Sequence, residues 1–494
     1  MNFANVMKKQ AQTKLTENGA VAYNTLNNGL LDLFAVIGAL RPQSESEIEQ
    51  KFARAFNEDK LLATKMLFYA GNIRGGLGER RTFRVCLKWL ANYYPEIVVK
   101  NMANIPLFNR WDSLFVLENT PVESAMWEFI KVQLMSDIRA MKKNHSVSLL
   151  AKWMPSENTS SKRTVRLARK TMSALYMTPR NYRKTLSALR KYIKVVERDM
   201  SANQWGDINY EGVPSYAMKN YRNAFATHDA IRFSNYIASL NKGEAKINAS
   251  TLFPYDLVRE YVNEVWTGSW RSRRNEKLDP VVEAQWKALP NYIEGENNYI
   301  VMADVSGSMS GQPIMTSIGL AIYFAERNKG DYHNTYMTFT NEPHFINIKE
   351  GATLLENVKT VANTDIGLNT DLEAAFDYIL SNAIYNNVSN EDMPKALIVI
   401  SDMEIDRYMS GRGLGFVDTM KEKFNAAGYE MMKIILWNVE ARQDTYLSQN
   451  PNVIYVSGSS PSVFKSFIGV LNGETAYDVM LKTLNDKMYD CVRI

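Results

Sequence analysis

Cysteine is nearly missing from this sequence of 494 residues: only Cys86 and Cys491 occur, far apart and outside any CxxC pattern. That excludes a disulfide framework and a cysteine-based zinc site, and it suits a reducing compartment. Long apolar runs are also lacking. No stretch approaches the roughly eighteen apolar residues of a membrane-spanning helix. The N-terminal MNFANVMKKQAQTKLTENGA has no apolar core of signal-peptide length. The expectation is a soluble, cytoplasmic protein without a membrane partner. Histidine is scarce: His145, His228, His333 and His344 form no HExxH-like ligand spacing. Phosphate-loop and dinucleotide fingerprints do not occur, because Arg74-Gly-Gly-Leu-Gly78 follows a helix-like segment rather than a strand. A Gly-x-Ser-x-Gly nucleophile elbow is missing too. These absences argue against a hydrolase or a nucleotide-driven enzyme, and the chain reads as non-catalytic.

What is present divides into two unlike parts. Hydrophobic residues make up 46% and charged residues 22%, which allows an ordinary core in each. The net charge of +5 conceals about −9 over 297–494 and about +14 over the rest. Over 1–295 apolar residues recur at three- and four-residue spacing in Ile48–Asn57, Leu61–Ile73, Thr82–Tyr93, Ser124–Met141 and Arg183–Arg198. Short punctuated connections and no strand pattern predict a helical-repeat array, with an irregular helical domain as the alternative. A Gly/Ser/Arg-rich connection, Thr267–Arg274, and a polar segment lead into the second part.

Over 296–494 the period changes. Tyr299–Ala303, Thr335–Thr340, Lys395–Ser401, Met432–Val439 and Val453–Ser457 read as strands. Helical patterns at Ile314–Glu326, Asp371–Ile384 and Val417–Ala427 lie between them. The alternation predicts a doubly wound α/β domain with a mostly parallel sheet, which binds ligands at the carboxyl ends of its strands. Asp304-Val-Ser306-Gly-Ser308 sits at the end of the first such strand and offers oxygens at i, i+2 and i+4. Hydroxyls add ligands without adding charge, so a hard divalent ion held there stays electrophilic. Thr370, before a helix, is placed to act as N-cap and ligand, and Asp402 directly follows a strand. Glu404 and Asp406 are available to add charge behind the site, or are simply solvated. In motif, order and spacing this segment resembles the von Willebrand factor A domain with its metal-ion-dependent adhesion site. The resemblance implies Asp304, Ser306, Ser308, Thr370 and Asp402 as metal residues, with Mg²⁺ as the ion and Mn²⁺ or Ca²⁺ as alternatives.

The most unusual stretch is 142–198, with 15 Lys and Arg against only Glu157 and Glu197. Trp153, Tyr176, Tyr182 and Tyr192 are interleaved with the cations. Clustered Lys and Arg neutralise phosphates, and aromatic rings stack on unpaired bases. Lys162, Arg163, Arg166, Arg169 and Lys170 are the leading RNA-binding candidates, followed by Arg180, Arg183 and Lys184. A helical region followed by a von Willebrand A domain is similar to the Ro/TROVE RNA-binding proteins, and locally to their plant, viral and phage branch. The segments carrying that likeness are Asn72–Arg81, Asn109–Ser113, Leu150–Glu157, Ser173–Tyr182 and Ala303–Met309. The resemblance implies a ring of HEAT-like helical repeats closed by the A domain, forming a ribonucleoprotein with structured small RNA or single-stranded RNA ends. Arg74, Arg80, Arg81 and Arg110-Trp111-Asp112 read as packing positions, with Trp111 in the core. The competing reading is a metal-dependent adhesion or assembly module, viral or phage structural proteins included, in which the metal grips a partner protein's acidic residue.

Overall fold

The computed structural model describes residues 13–262, 277–293, 298–339, 342–363, 370–405, 416–443, 445–467 and 473–494. The whole Thr267–Arg274 connection and Asp406 lie outside them.

Apolar periodicity sets the helical part. Ser44 opens the Glu45–Glu58 helix with a capping box to Glu47, and the helix buries Ile48, Phe52, Ala55 and Phe56 on one face. Asp59 caps the next helix, Lys60–Gly71, which is buried over most of its length. Arg80–Tyr93 and the long Glu123–Lys142 helix follow. Trp89 packs edge-on against Phe52 and Phe56, which ties the Arg80–Tyr93 helix to the Glu45–Glu58 helix. The segment read as one helix over Arg183–Arg198 is two, Pro179–Tyr192 and Val196–Ser201. Lys194 breaks it by taking a left-handed φ of +52°. A smaller aromatic core around Tyr210, Phe225, Phe233 and Tyr236 serves the helices from Val196 to Lys242.

The second part holds a six-stranded sheet in the order β5-β4-β3-β6-β7-β8. Its strands are β3 (Tyr299–Asp304), β4 (Thr335–Phe339), β5 (Phe345–Asn347), β6 (Ala396–Ser401), β7 (Lys433–Asn438) and β8 (Val453–Ser457). All neighbours are parallel except β5, which runs antiparallel to β4 at the edge. β3, β6 and β8 are buried at every residue, the signature of a sheet covered on both faces. The apolar Gln312–Arg327 helix is the main cover on one face. The order reverses between β3 and β6, so the cleft at a switch point opens beside the ends of those two strands.

The apolar pattern before residue 296 predicts no strands. The structure has a short antiparallel hairpin there, β1 (Thr13–Leu15) and β2 (Val21–Tyr23). Three-residue strands are too short to show alternation. This hairpin belongs spatially to the second part: Tyr23 exchanges two backbone hydrogen bonds with Tyr446, at 2.7 and 2.9 Å. The backbone at Gly38 packs against β8, where an added Cβ would lie 2.5 Å from the Ser457 carbonyl oxygen. At the other end of the chain, the Arg493 backbone N–H donates to Asn101 Oδ1 at 3.0 Å while Asn101 Nδ2 donates to the Arg493 carbonyl at 2.6 Å. Tyr489 packs against Phe108 and receives a hydrogen bond from Asn72. One hydrophobic core therefore runs through both parts.

Candidate metal centre and nucleic-acid interface

β3 and β6 lie side by side in parallel register, so Asp304 and Asp402 arrive at neighbouring strand ends. Both carboxylates are buried, with Asp304 wholly so. Asp304 Oδ1 accepts from the Ser306 amide at 2.9 Å, and Oδ2 accepts from the Ser401 hydroxyl at 2.6 Å. The Ser306 and Ser308 hydroxyl oxygens lie 3.1 Å apart. Adjacent ligands of an octahedral ion at about 2.1 Å sit roughly 3 Å from one another. The two hydroxyls thus already have the spacing of neighbouring ligands.

Asp402 Oδ1 accepts from the Glu404 amide at 3.2 Å, while Oδ2 has no hydrogen-bond partner. The Arg442 guanidinium is 3.6 Å from that oxygen but is shared with Glu440 at 2.7 Å. Arg442 also donates to the Ser308 carbonyl, which pins the loop. Burial pushes the Asp304 carboxyl up, and the neighbouring Asp402 charge adds to the effect. Burial likewise raises Asp402, opposed by the Glu404 amide, the Ser308 hydroxyl and Arg442. Two buried carboxylates with an orphaned oxygen and paired hydroxyls form a donor set that suits a hard divalent cation. Among the described residues no group of three His, Cys, Asp or Glu is placed to hold a metal ion, so such an ion would rely on hydroxyls and water beside the two carboxylates.

Thr370 is buried against the same loop, its hydroxyl donating to the Glu404 carbonyl at 3.1 Å. It does not cap the following helix. Asp371 does, accepting from the Ala374 amide at 2.9 Å. A carboxylate outcompetes a hydroxyl for that role, and Thr370 is left facing the loop. Glu404 is not solvated: it is buried, with Oε2 accepting from the Glu17 amide at 2.7 Å and Oε1 unpartnered. Thr16 and Asn18 of the β1–β2 turn bond the Ile405 and Glu404 carbonyls. Sequence reasoning missed Arg442, Ser401 and this turn. Only Ser401 had a local signal, as the last strand residue before Asp402.

The basic stretch forms two consecutive helices, Lys162–Ala174 and Pro179–Tyr192, capped by Ser161 and Thr178. Lys162, Arg163, Arg166, Arg169, Arg180, Arg183 and Lys184 are exposed, and Lys170 is half-buried. Not all are free for phosphate. Glu118 grips Arg166 through both oxygens at 2.6 and 2.8 Å, and Lys170 bridges Glu118 and Glu123. Arg183 pairs with Glu157 at 3.0 Å. Lys162, Arg163, Arg169, Arg180 and Lys184 have no carboxylate within ion-pair distance among the described residues. Thr159, Ser160, Lys162, Val165, Arg166 and Arg169 line an open dent of about 330 Å³ beside the first helix. Arg190 instead turns inward to the Ala151 and Met154 carbonyls.

The aromatics of this region divide. Tyr182 is buried, its hydroxyl donating to the Pro155 carbonyl. Trp153 lies under the Arg110 guanidinium at 3.8 Å. Trp111 stacks on Phe129. Arg110 and Arg84 both pair with Asp112, and Arg81 donates to the Gln43 carbonyl at 2.9 Å. The Arg74–Gly78 loop is filled by protein: a Cβ at Gly76 would lie 2.2 Å from the Tyr69 carbonyl oxygen. Tyr176 alone among the four interleaved aromatics stands out in solvent.

A family model described as a domain of unknown function, DUF2828, matches residues 16–110 and 128–297, more than half of the chain. The chain belongs to the DUF2828 family. A second domain of unknown function, DUF7788, matches residues 298–490. An uncharacterized protein of Acanthamoeba polyphaga mimivirus is 28% identical to this DUF2828 chain over 505 aligned residues, covering 94% of the chain and 85% of the relative. Among solved structures, the crystal structure of the Deinococcus radiodurans RO (RSR) protein aligns at 13% identity and a TM-score of 0.37, covering 90% of this chain and 93% of that one. No helix among the described residues is long and apolar enough to cross a membrane.

Proposed function

We propose that this DUF2828 chain is a non-catalytic RNA-binding protein of Ro-like type, whose C-terminal α/β domain holds a divalent metal ion. The observation that carries the RNA reading is the face of Lys162, Arg163 and Arg169 with Arg180 and Lys184 on the next helix: five exposed cations without acidic partners among the described residues, beside an open basic dent. Such a surface neutralises several phosphates, and its affinity falls with salt as counterions are released. Residues 142–198 hold most of the excess positive charge of the first part, which local surface solubility does not require.

The metal reading rests on Asp304, Ser306, Ser308 and Asp402 at neighbouring strand ends, with Thr370 bonded to the Glu404 carbonyl beside them, in the strand order and at the switch point expected of a von Willebrand A-like domain. Mg²⁺ would supply an electrophilic centre able to accept an outside oxygen ligand. The chain's own residues hold the loop: Ser401 orients Asp304, Arg442 pins the Ser308 carbonyl, and the β1–β2 turn braces Glu404. Capture of a partner's carboxylate at that centre is the second reading, favoured by the exposed Gly307 and Ser310 flanking Ser308.

The test is reversal of the unpaired cations, Lys162→Glu, Arg163→Glu and Arg169→Glu together, followed by RNA binding across a salt series. Arg166 and Lys170 are left intact because reversing them would oppose Glu118 and disturb packing. The expected result is loss of binding by roughly 100-fold or more at physiological salt, with a shallower salt dependence. Unchanged affinity and slope would refute the reading.

A further inference from the structure

Nine residues other than glycine have positive φ among the described residues, and six are asparagine, the side chain that best tolerates that conformation. The other three are Tyr176, Lys194 and Met403. Met403 lies between Asp402 and Glu404 in the candidate metal loop. Tyr176 and Lys194 follow the two basic helices in turn. Each helix ends in the same way: the Tyr176 and Met177 amides return to the Ser173 and Met172 carbonyls, and the Lys194 and Val195 amides return to the Lys191 and Arg190 carbonyls. Glycine is the ordinary residue at such a left-handed cap, and a ring-bearing residue is disfavoured there.

Nothing in the core compensates at Tyr176. Its side chain is 88% exposed, the most exposed large hydrophobic residue described. Its ring lies under the Lys131 ammonium, 5.5 Å from nitrogen to centroid. It stands two residues before the N-cap Thr178 of the helix that presents Arg180 and Lys184, and at the end of the helix that presents Lys162, Arg163 and Arg169. A strained backbone position that displays a flat ring to solvent, between two rows of cations, is a poor solution for stability. It is a good one for meeting a planar, unpaired ligand whose neighbours are phosphates.

We propose that Tyr176 is a stacking platform for an unpaired base of single-stranded RNA, with the flanking helix cations holding the adjoining phosphates. This rests on the RNA reading above and adds to it the residue that meets an unpaired base. Lys131, whose ammonium also lies 3.8 Å from Glu128, steadies the ring by a cation–π contact. The ring recognises any base by its face, so the preference it confers is for stacking strength, purines over pyrimidines, rather than for sequence.

The test compares the full unaltered chain with Tyr176→Gly and Tyr176→Trp. The probes are a labelled oligoadenylate of about a dozen nucleotides, its length set by the usual span of such sites, and inorganic polyphosphate, which carries charge without bases. Tyr176→Gly is expected to weaken oligoadenylate binding by about 5- to 100-fold with the salt slope retained, and to leave polyphosphate binding unchanged. Its thermal midpoint should equal or exceed that of the unaltered chain, because glycine suits the left-handed cap. Tyr176→Trp should keep or tighten binding. Equal oligoadenylate affinity for the unaltered chain and Tyr176→Gly would overturn the stacking role while leaving the RNA reading intact. Failure of the unaltered chain to bind oligoadenylate would overturn this proposal, and failure with structured RNA as well would overturn the wider reading. Parallel losses for both probes would overturn stacking by showing that the substitution disturbs the charged face as a whole.

Discussion

The pairing of Glu118 with Arg166 and Lys170 makes a prediction opposite in sign to an ordinary loss-of-contact variant. Glu118 is largely covered, with a side chain 11% exposed, whereas that of Arg166 is 58% exposed. In the free protein this carboxylate occupies two cations of the basic helix, of which Arg166 lines the dent. Glu118→Gln removes one negative charge, keeps the shape, and retains one oxygen to steady Arg166. At about 6 Å from a bound phosphate, a unit charge contributes roughly 0.7 kcal/mol in water and about 2.8 kcal/mol at an effective dielectric constant of 20. Screening over a Debye length of about 8 Å at physiological salt reduces this by roughly half. The expected gain in RNA affinity is therefore about twofold to tenfold. The cost in stability is small, since ion pairs with a cation this exposed contribute little. Fluorescence anisotropy over a salt series measures the first, and urea denaturation the second. For each extra phosphate engaged on a single strand, the salt slope steepens by about 0.7. Unchanged or weaker binding by a folded Glu118→Gln protein would show that Arg166 and Lys170 do not face the RNA, and that their part in the basic face is structural.

Three further outcomes follow from other parts of the molecule. Titration of Mg²⁺ or Mn²⁺ into metal-free protein by calorimetry should give one site, lost in Asp304→Ala and in the Ser306→Ala/Ser308→Ala double variant; equal binding by all three proteins would remove the ion from this loop. Gly38→Ala should lower stability by about 1 to 3 kcal/mol in urea denaturation, because the new methyl group would lie 2.5 Å from the Ser457 carbonyl oxygen and two backbones must part to admit it. Acid should weaken the helical part through Asp112: burial alone would raise its carboxyl, but Arg110 and Arg84 outweigh burial and hold it below its ordinary value. A carboxyl depressed in the folded state stabilises above its unfolded value near 3.9, and that contribution is lost as pH falls through the folded value. The urea midpoint should thus fall more steeply below about pH 4 than in Asp112→Asn, whose lower midpoint should vary less with acid.

Where local chemistry decides structure, the sequence was legible. The runs Lys395–Ser401 and Val453–Ser457 are strands because continuous β-branched and apolar residues fit a sheet covered on both faces. Asp304-Val-Ser-Gly-Ser is a strand-end loop, as its position after Tyr299–Ala303 requires. The failures came where distant residues decide. β1 and β2 exist because Tyr446 and Glu404 supply partners from the far end of the chain. Phe345–Asn347 pairs with β4 as a short edge, with too few residues to alternate. Thr370 looked like a cap because it precedes a helix, but Asp371, one position later, offers a stronger acceptor. The charge count over 142–198 located the basic face correctly in sequence, yet it did not reveal that Glu118 and Glu123, outside that window, neutralise two of its members.

The strained backbone positions link the two candidate sites. Strain persists only where the surroundings over-determine a conformation. At Met403 the bracing comes from Ser401, whose hydroxyl accepts from the Met403 amide at 3.0 Å while donating to Asp304, and from the β1–β2 turn on Glu404. At Tyr176 only the helix-end hydrogen bonds hold the turn, and the ring itself makes no core contact to offset the strain. The two positions therefore differ in what their removal does. Relieving Met403 loosens a buried loop on which Asp304 and Asp402 both depend, so stability and any metal affinity fall together. Relieving Tyr176 leaves the helices in place, so stability holds while the basic face loses the ring displayed between its two helices. A site built on buried, mutually bonded residues is bound to the fold, and a site built on an exposed cap is separable from it. That separability allows the RNA-binding proposal to be tested without disturbing the metal loop.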